Sequence, residues 1–161
     1  MEYFDGSDNQ LTSFPIQPEM ECFHGDNNQL TSFSVQPKMT YFSCVNNYLV
    51  SFPVQPNMID FHGAYNQLTS FPIQPNMKDF WGWNNQLTSF PIQPEMTFFF
   101  GYNNQLTSFS IQPKMEYFNG QLTSFPIQPN MVEFHGQLTS FHIQPKMKKC
   151  SAINNPIKIR H

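Results

Sequence analysis

Charge is scarce in this chain of 161 residues: Asp, Glu, Lys and Arg together make up 12%, while aromatic residues reach 16%. A chain so poor in charge and so rich in rings has apolar material to bury, which excludes the charge-rich kind of disorder. Cysteine is also sparse. Cys22, Cys44 and Cys150 are odd in number and no CxxC occurs, so neither a disulfide framework nor a zinc site has the pairing or ligand spacing it needs. A reducing, cytoplasmic setting is expected, and no metal or cofactor. The opening M-E-Y-F-D-G is acidic and carries no apolar run, which argues against a signal peptide, and no stretch approaches membrane-spanning length. The glycines are single, so no phosphate-cradling loop is present. Basic residues are missing from most of the chain. Before Lys146, eleven acidic residues stand against Lys38, Lys78 and Lys114, a formal balance of −8; Lys146, Lys148, Lys149, Lys158 and Arg160 follow with no acid. The anionic body excludes nucleic acid as a partner, and the short tail reads as a solubilising end.

What is present is a repeat. Six units of 19 residues begin at Met1, Met20, Met39, Met58, Met77 and Met96, two of 16 at Met115 and Met131, and a half-unit at Met147. The organisation is therefore eight tandem repeats over 1–146 and a partial ninth with a basic tail over 147–161. A fixed period of this length signals a solenoid, in which each coil packs on its neighbours. Numbered from Met, the unit reads M-x-x-F-x-G-x-x-N-Q-L-T-S-F-P-I-Q-P-x. Positions 1, 4, 11, 14 and 16 are apolar in the full repeats, fit neither one helical face nor one strand, and are read as the inward side of a closed coil. Positions 2, 3, 5, 7 and 8 vary. Pro fixes its own φ and biases the preceding residue to extended backbone, so F-P-I-Q-P excludes helix and favours a polyproline-like run.

These residues resemble the short leucine-rich repeat L-x-x-L-x-L-x-x-N-x-L-x-x-L-P-x-L-P, in the compact form of bacterial effector proteins. N-N-Q-L-T-S-F-P at 84–91 differs from the N-N-Q-L-T-S-L-P of that class by one Leu-to-Phe change. The likeness runs from Met1 to about Ile157. The FNIP-type repeat of amoebae and giant viruses shares the F-x-G and N-Q elements on a longer period and ranks second. The resemblance implies an α/β-class leucine-rich-repeat solenoid with a parallel β-sheet on the concave side, an extended, polyproline-like convex side and little or no helix. Strands fall at positions 3–5, for instance 60–62 and 79–81. Asn9, Asn28, Asn47, Asn66, Asn85, Asn104 and Asn155 form an inward ladder whose amides serve turning backbone. Repeats seven and eight lack that Asn, so the coil is expected to be irregular or looser over 115–146. Gly at position 6 removes a core side chain, and the Phe residues at 4 and 14 are expected to fill its volume.

No catalytic set is recognisable. His24, His62 and His135 share position 5, and alternate coils lie about 10 Å apart, too far for His24 and His62 to share a metal. The varying positions are the ones a leucine-rich repeat displays on its concave surface. There Trp81, Trp83, Phe98, Phe100 and Tyr102 gather on coils five and six, as exposed aromatic clusters do at binding surfaces. The expected function is a non-enzymatic scaffold that binds a protein partner through its concave face, with no nucleic acid or membrane partner. The alternative is a structural or functionless tandem array, a fragment of a larger protein among its forms. The uncapped first coil leaves self-association through the ends open.

Overall fold

A computed structural model describes residues 1–138, 140–142, 144–152 and 158–160. Its organising element is a ladder of one short strand per coil: β1 (Tyr3–Asp5), β2 (Cys22–His24), β3 (Tyr41–Ser43), β4 (Asp60–His62), β5 (Asp79–Trp81), β6 (Phe98–Phe100) and β7 (Tyr117–Gln121). After β8 (Ser124–Phe125), the ladder continues through β9 (Glu133–Gln137) and, past β10 (Ser140–His142), ends at β11 (Lys149–Ala152). All pairs are parallel, with like repeat positions in register, as in Phe61 opposite Phe80 and Phe80 opposite Phe99. Parallel strands one residue period apart in a repeat need a return path, and here the return is extended chain. No residue among those described is helical. The molecule is a leucine-rich-repeat solenoid.

Each coil closes through a turn at Gln17–Met20 and its equivalents, where the Met N–H donates to the Gln carbonyl at 3.0 to 3.5 Å. Pro occupies the second turn position, where its fixed φ is already correct. The other corner sits at position 8, whose residues Asp8, Asn27, Asn46, Tyr65, Asn84 and Asn103 all have φ between 53° and 58°. Asn and Asp tolerate this left-handed backbone; a Tyr does so at a cost of about 1 kcal/mol.

The core is two columns of phenylalanine. The position-4 rings from Phe4 to Phe134 stack with centroids 5.2 to 5.6 Å apart and nearly parallel planes. The position-14 rings from Phe14 to Phe125 form a second column at 5.8 to 6.2 Å. Between columns the rings meet at 4.6 to 5.0 Å, many edge to face. Met20, Leu30 and their equivalents complete the interior. Fully burying each such side chain contributes about 1.5–3 kcal/mol. Position 6 is Gly in every full coil but the third, where Cys44 is buried: the Phe two residues earlier lies over it, and a Cβ on Gly63 would press on the Phe61 ring, which would have to shift to admit it. The two large columns thus occupy the space that Gly vacates.

Position 16 corrects the sequence reading. Ile16, Val35, Val54, Ile73, Ile92, Ile111 and Ile127 are 43–59% exposed, and it is the next residue, Gln36, Gln55, Gln74, Gln93, Gln112, Gln128 or Gln144, that is buried. The segment is extended, so successive side chains alternate in direction. The reason for turning Gln inward lies in the backbone. Pro interrupts this flank, and inter-coil strand pairing does not serve it over coils one to six, yet its N–H and C=O groups are buried and need partners. Each Gln Oε1 accepts the backbone N–H of the Gln one coil earlier at 2.5 to 2.7 Å. Its Nε2 donates to the position-15 carbonyl of that coil at 3.0 to 3.4 Å.

The Asn ladder runs on the opposite corner. Asn28, Asn47, Asn66 and Asn85 are buried and Asn104 is half-buried. Asn66 Oδ1 accepts from Leu49 N at 2.9 Å, while its Nδ2 donates to the Cys44 carbonyl at 2.7 Å and to carbonyls of its own turn. Asn9 is exposed and serves only its own coil. Asn155 lies outside the described residues. Repeats seven and eight depart from the coil geometry of the first six. With the left-handed turn and the Asn deleted, β7 and β9 lengthen to five residues, pair through Gln121 opposite Gln137, and pass on to the Leu122 N–H. A second sheet of β8, β10 and β12 (Lys158–Arg160) forms on the return flank. Strand pairing replaces the missing amide.

Candidate functional site

The sheet face carries positions 3 and 5 of every coil, with position 7 just beyond the strand. Side chains two apart on a strand share a face, and like positions stack about 4.8 Å apart from coil to coil. On coils five and six this brings together the aromatic residues singled out in the sequence. Trp81 stacks on Phe98 at 4.6 Å and lies 5.3 Å from Phe100. Trp83 stacks on Tyr102 at 5.9 Å. The two ranks meet at right angles, with Trp83 edge-on to Phe100 (5.4 Å, 81°) and Phe100 edge-on to Tyr102 (5.3 Å, 81°). All five are half-buried, so each keeps an open edge.

The cluster is the centre of a longer ribbon. From Tyr3 the rings run through His24, Tyr41, His62, Trp81, Phe98 and Tyr117 to His135, with successive centroids 4.3 to 5.6 Å apart. Tyr41 therefore separates His24 from His62, and each histidine is a member of a ring stack. Sequence reasoning missed Tyr3, Tyr41, Tyr117 and the three histidines as members. The available signal was the shared sheet face of positions 3 and 5, which lets a ring at one position meet a ring at the other on the next coil. Burial holds the His62 imidazole below its usual range, against the pull of Asp60 and Asp26, and pushes the Tyr41 phenol above its own. Tyr65, in the strained left-handed turn, adds an exposed ring edge-on to Trp83 at 6.4 Å.

Charge on this face has one sign through coil seven. Positions 3, 5 and 7 of repeats one to seven carry Asp5, Asp26, Asp60 and Asp79 and no Lys or Arg. Asp5 accepts the Ser7 N–H at 3.0 Å, and Asp26 accepts the Ser43 hydroxyl at 2.6 Å and the Val45 N–H at 2.8 Å. Asp60 and Asp79 instead face each other across adjacent strands. Burial and the neighbouring Asp60 push the Asp79 carboxyl up to about 6, Lys78 and Thr97 pulling the other way. On coil eight, Glu133 is matched by His135 at 2.7 Å and Lys149 at 3.5 Å.

Among the described residues there is no group of three or more His, Cys, Asp or Glu placed to hold a metal ion, and no helix long and apolar enough to cross a membrane. No described buried polar side-chain atom lacks a partner. A groove of about 550 Å³ lies away from the ring ribbon, at the turn edge, lined by residues including Glu21, Lys38, Asn57 and Glu95. It is open and bordered by the Lys38–Glu19 and Lys114–Glu95 pairs, which are exposed and contribute little.

No family model matches the chain and no curated protein matches it. Solved structures do. YopM, a leucine-rich effector protein from Yersinia pestis, superimposes with a TM-score of 0.72 at 19% identity over 100% of this chain and 63% of that one. YopM from Yersinia enterocolitica WA-314 gives 0.69 at 16% identity, over 98% of this chain and 43% of that one. The functional domain of InlJ from Listeria monocytogenes gives 0.51 at 15%, over 98% and 54%. The chain spans less than two thirds of each. At these identities the likeness is one of fold, and the fold is the leucine-rich-repeat solenoid of the bacterial effectors.

Proposed function

We propose that this protein is a non-enzymatic protein-interaction module that holds a partner against its concave sheet face, centred on Trp81, Trp83, Phe98, Phe100 and Tyr102. The observation that carries the proposal is the contrast between that cluster and the core. The fold buries one Phe at position 4 and one at position 14 in each coil and needs no further rings. Yet coils five and six add five more on the open face, with Tyr65 added at a backbone cost. Large aromatic anchors at an interface centre contribute 2 kcal/mol or more, about thirtyfold in affinity. A reducing, cytoplasmic setting is part of the same reading: Cys22, Cys44 and Cys150 are all unpaired, and burial pushes the Cys44 thiol up, away from reactivity.

The test uses binders selected on the intact chain from a displayed library of twelve-residue peptides. Trp81→Ser with Phe100→Ser is expected to lower their affinity at least thirtyfold while the chain still unfolds cooperatively. A library that yields no binder, or binders indifferent to the double substitution, favours the inert tandem array.

A further inference from the structure

The concave reading leaves the partner's chemistry open, and the inference here rests on that reading. The sheet face is not electrically neutral around its aromatic cluster. Position 3 places Asp60 and Asp79 directly opposite each other on β4 and β5, immediately beside Trp81 and Phe98. Like charges directly opposite on neighbouring strands repel. Neither carboxylate enters an ion pair among the described residues, whereas Glu19, Glu95 and Glu133 each do. Lys78 sits one residue from Asp79 but is exposed at position 2, off the face. The fold does not ask for acid here, since position 3 is Tyr, Cys or Phe in coils one, two, three, six and seven.

We propose that the partner docks an extended segment on this face and seats an arginine side chain between Asp60 and Asp79, against the rings of Trp81 and Phe98. The argument is charge complementarity. Through coil seven the face offers four aspartates and no basic group, so a segment carrying acid is repelled and one carrying a cation is drawn in. Two carboxylates rooted about 4.8 Å apart suit the planar fork of a guanidinium, which takes one on each edge and lies flat against aromatic surface as an ammonium does not. The cation removes the repulsion that the free protein carries. Apolar residues beside the arginine would meet the right-angled ranks of Phe100, Trp83 and Tyr102.

The same twelve-residue library, selected at neutral pH and modest salt, provides the probe. The expected winners carry an arginine next to an aromatic or branched apolar residue. Replacing that arginine by citrulline, which keeps the shape and removes the charge, should cost at least tenfold in affinity. Asp60→Asn with Asp79→Asn should cost as much, and the two changes together little more than either alone. Because these Asn residues relieve repulsion, the variant should melt no lower than the parent, which separates a binding role from a folding one. Winners that lack a basic residue, or that ignore the Asn pair while failing on Trp81→Ser with Phe100→Ser, overturn this inference and leave the concave reading standing. Winners indifferent to both sets of substitutions, or a library without winners, overturn both.

Discussion

The convex flank and the concave face of this solenoid are built from the same eight coils and obey opposite rules. Along positions 10–18 the sequence barely changes, and among Asp, Glu, Lys and Arg no residue enters it in any full repeat. Along positions 3, 5 and 7 it changes at nearly every coil. The difference follows from how the two sides satisfy their backbones. On the sheet face, strand pairing does so whatever the side chains are, so residues there are free to differ. On the convex flank of coils one to six no strand pairing forms and a side chain replaces it, the Gln that stands at position 17 in every full repeat. Constancy in this chain reports what closes the coil; variation marks the surface whose side chains the coil does not need.

The comparison is sharpest where a ladder amide is removed. Gln74→Ala leaves the buried Gln55 N–H and the partly buried Pro53 carbonyl unpartnered, and should cost about 3 kcal/mol in denaturant unfolding. Asn66→Ala, on a corner that water reaches more easily, should cost less, about 2 kcal/mol. A Gln74→Ala chain as stable as the parent would return the convex flank to ordinary surface.

The Asp60–Asp79 pair sharpens the concave side. Burial and the neighbouring Asp60 raise the Asp79 carboxyl in the folded chain from its ordinary carboxylate range to about 6. The folded state therefore holds its proton over that interval while the unfolded state releases it, and this contribution to stability is lost as pH rises from about 4 to 7. Asp79→Asn should abolish that loss and raise stability at pH 7 by about 1 kcal/mol, well under the value for the full shift because the pair is partly exposed. Urea unfolding at pH 4 and pH 7 for both chains reads the effect directly. The smallest expected effect is on the convex surface: Ile73→Ser should change stability by less than about 0.5 kcal/mol, since the side chain is 53% exposed. A larger loss would mean that position 16 belongs to the core after all.

Much of this architecture was legible before the structure. The period set the coil, and Met20, Phe23, Leu30 and Phe33 with their equivalents marked its interior, although Met1 in the first coil is exposed. Position-9 Asn stood out because a polar residue held constant beside apolar ones has work inside. Gln17 and its equivalents satisfy the same criterion, but the apolar Ile beside them drew the inward assignment. Only the alternation of an extended segment, counted from the buried Phe14, decides between the two. The left-handed corner was written in the Asn and Asp of position 8, and Tyr65 at the same place hid it. The strand extension of repeats seven and eight was not legible, because deleting an amide from the sequence does not say what takes its place. The Trp and Phe cluster was read coil by coil, whereas the ribbon needs register: Tyr41 meets His24 and His62 only once β2, β3 and β4 are aligned.

Trp81 and Trp83 are the two tryptophans of the chain, so tryptophan emission, excited selectively over that of the tyrosines, reports the concave face. The most direct test of the account is tryptophan emission and acrylamide quenching, measured while a tryptophan-free binder from the peptide selection is titrated in and its occupancy followed by anisotropy. Binding against the ring cluster predicts a blue shift and a fall in quenching that saturate together with occupancy. Full occupancy with emission and quenching unchanged would place the partner elsewhere and contradict the account.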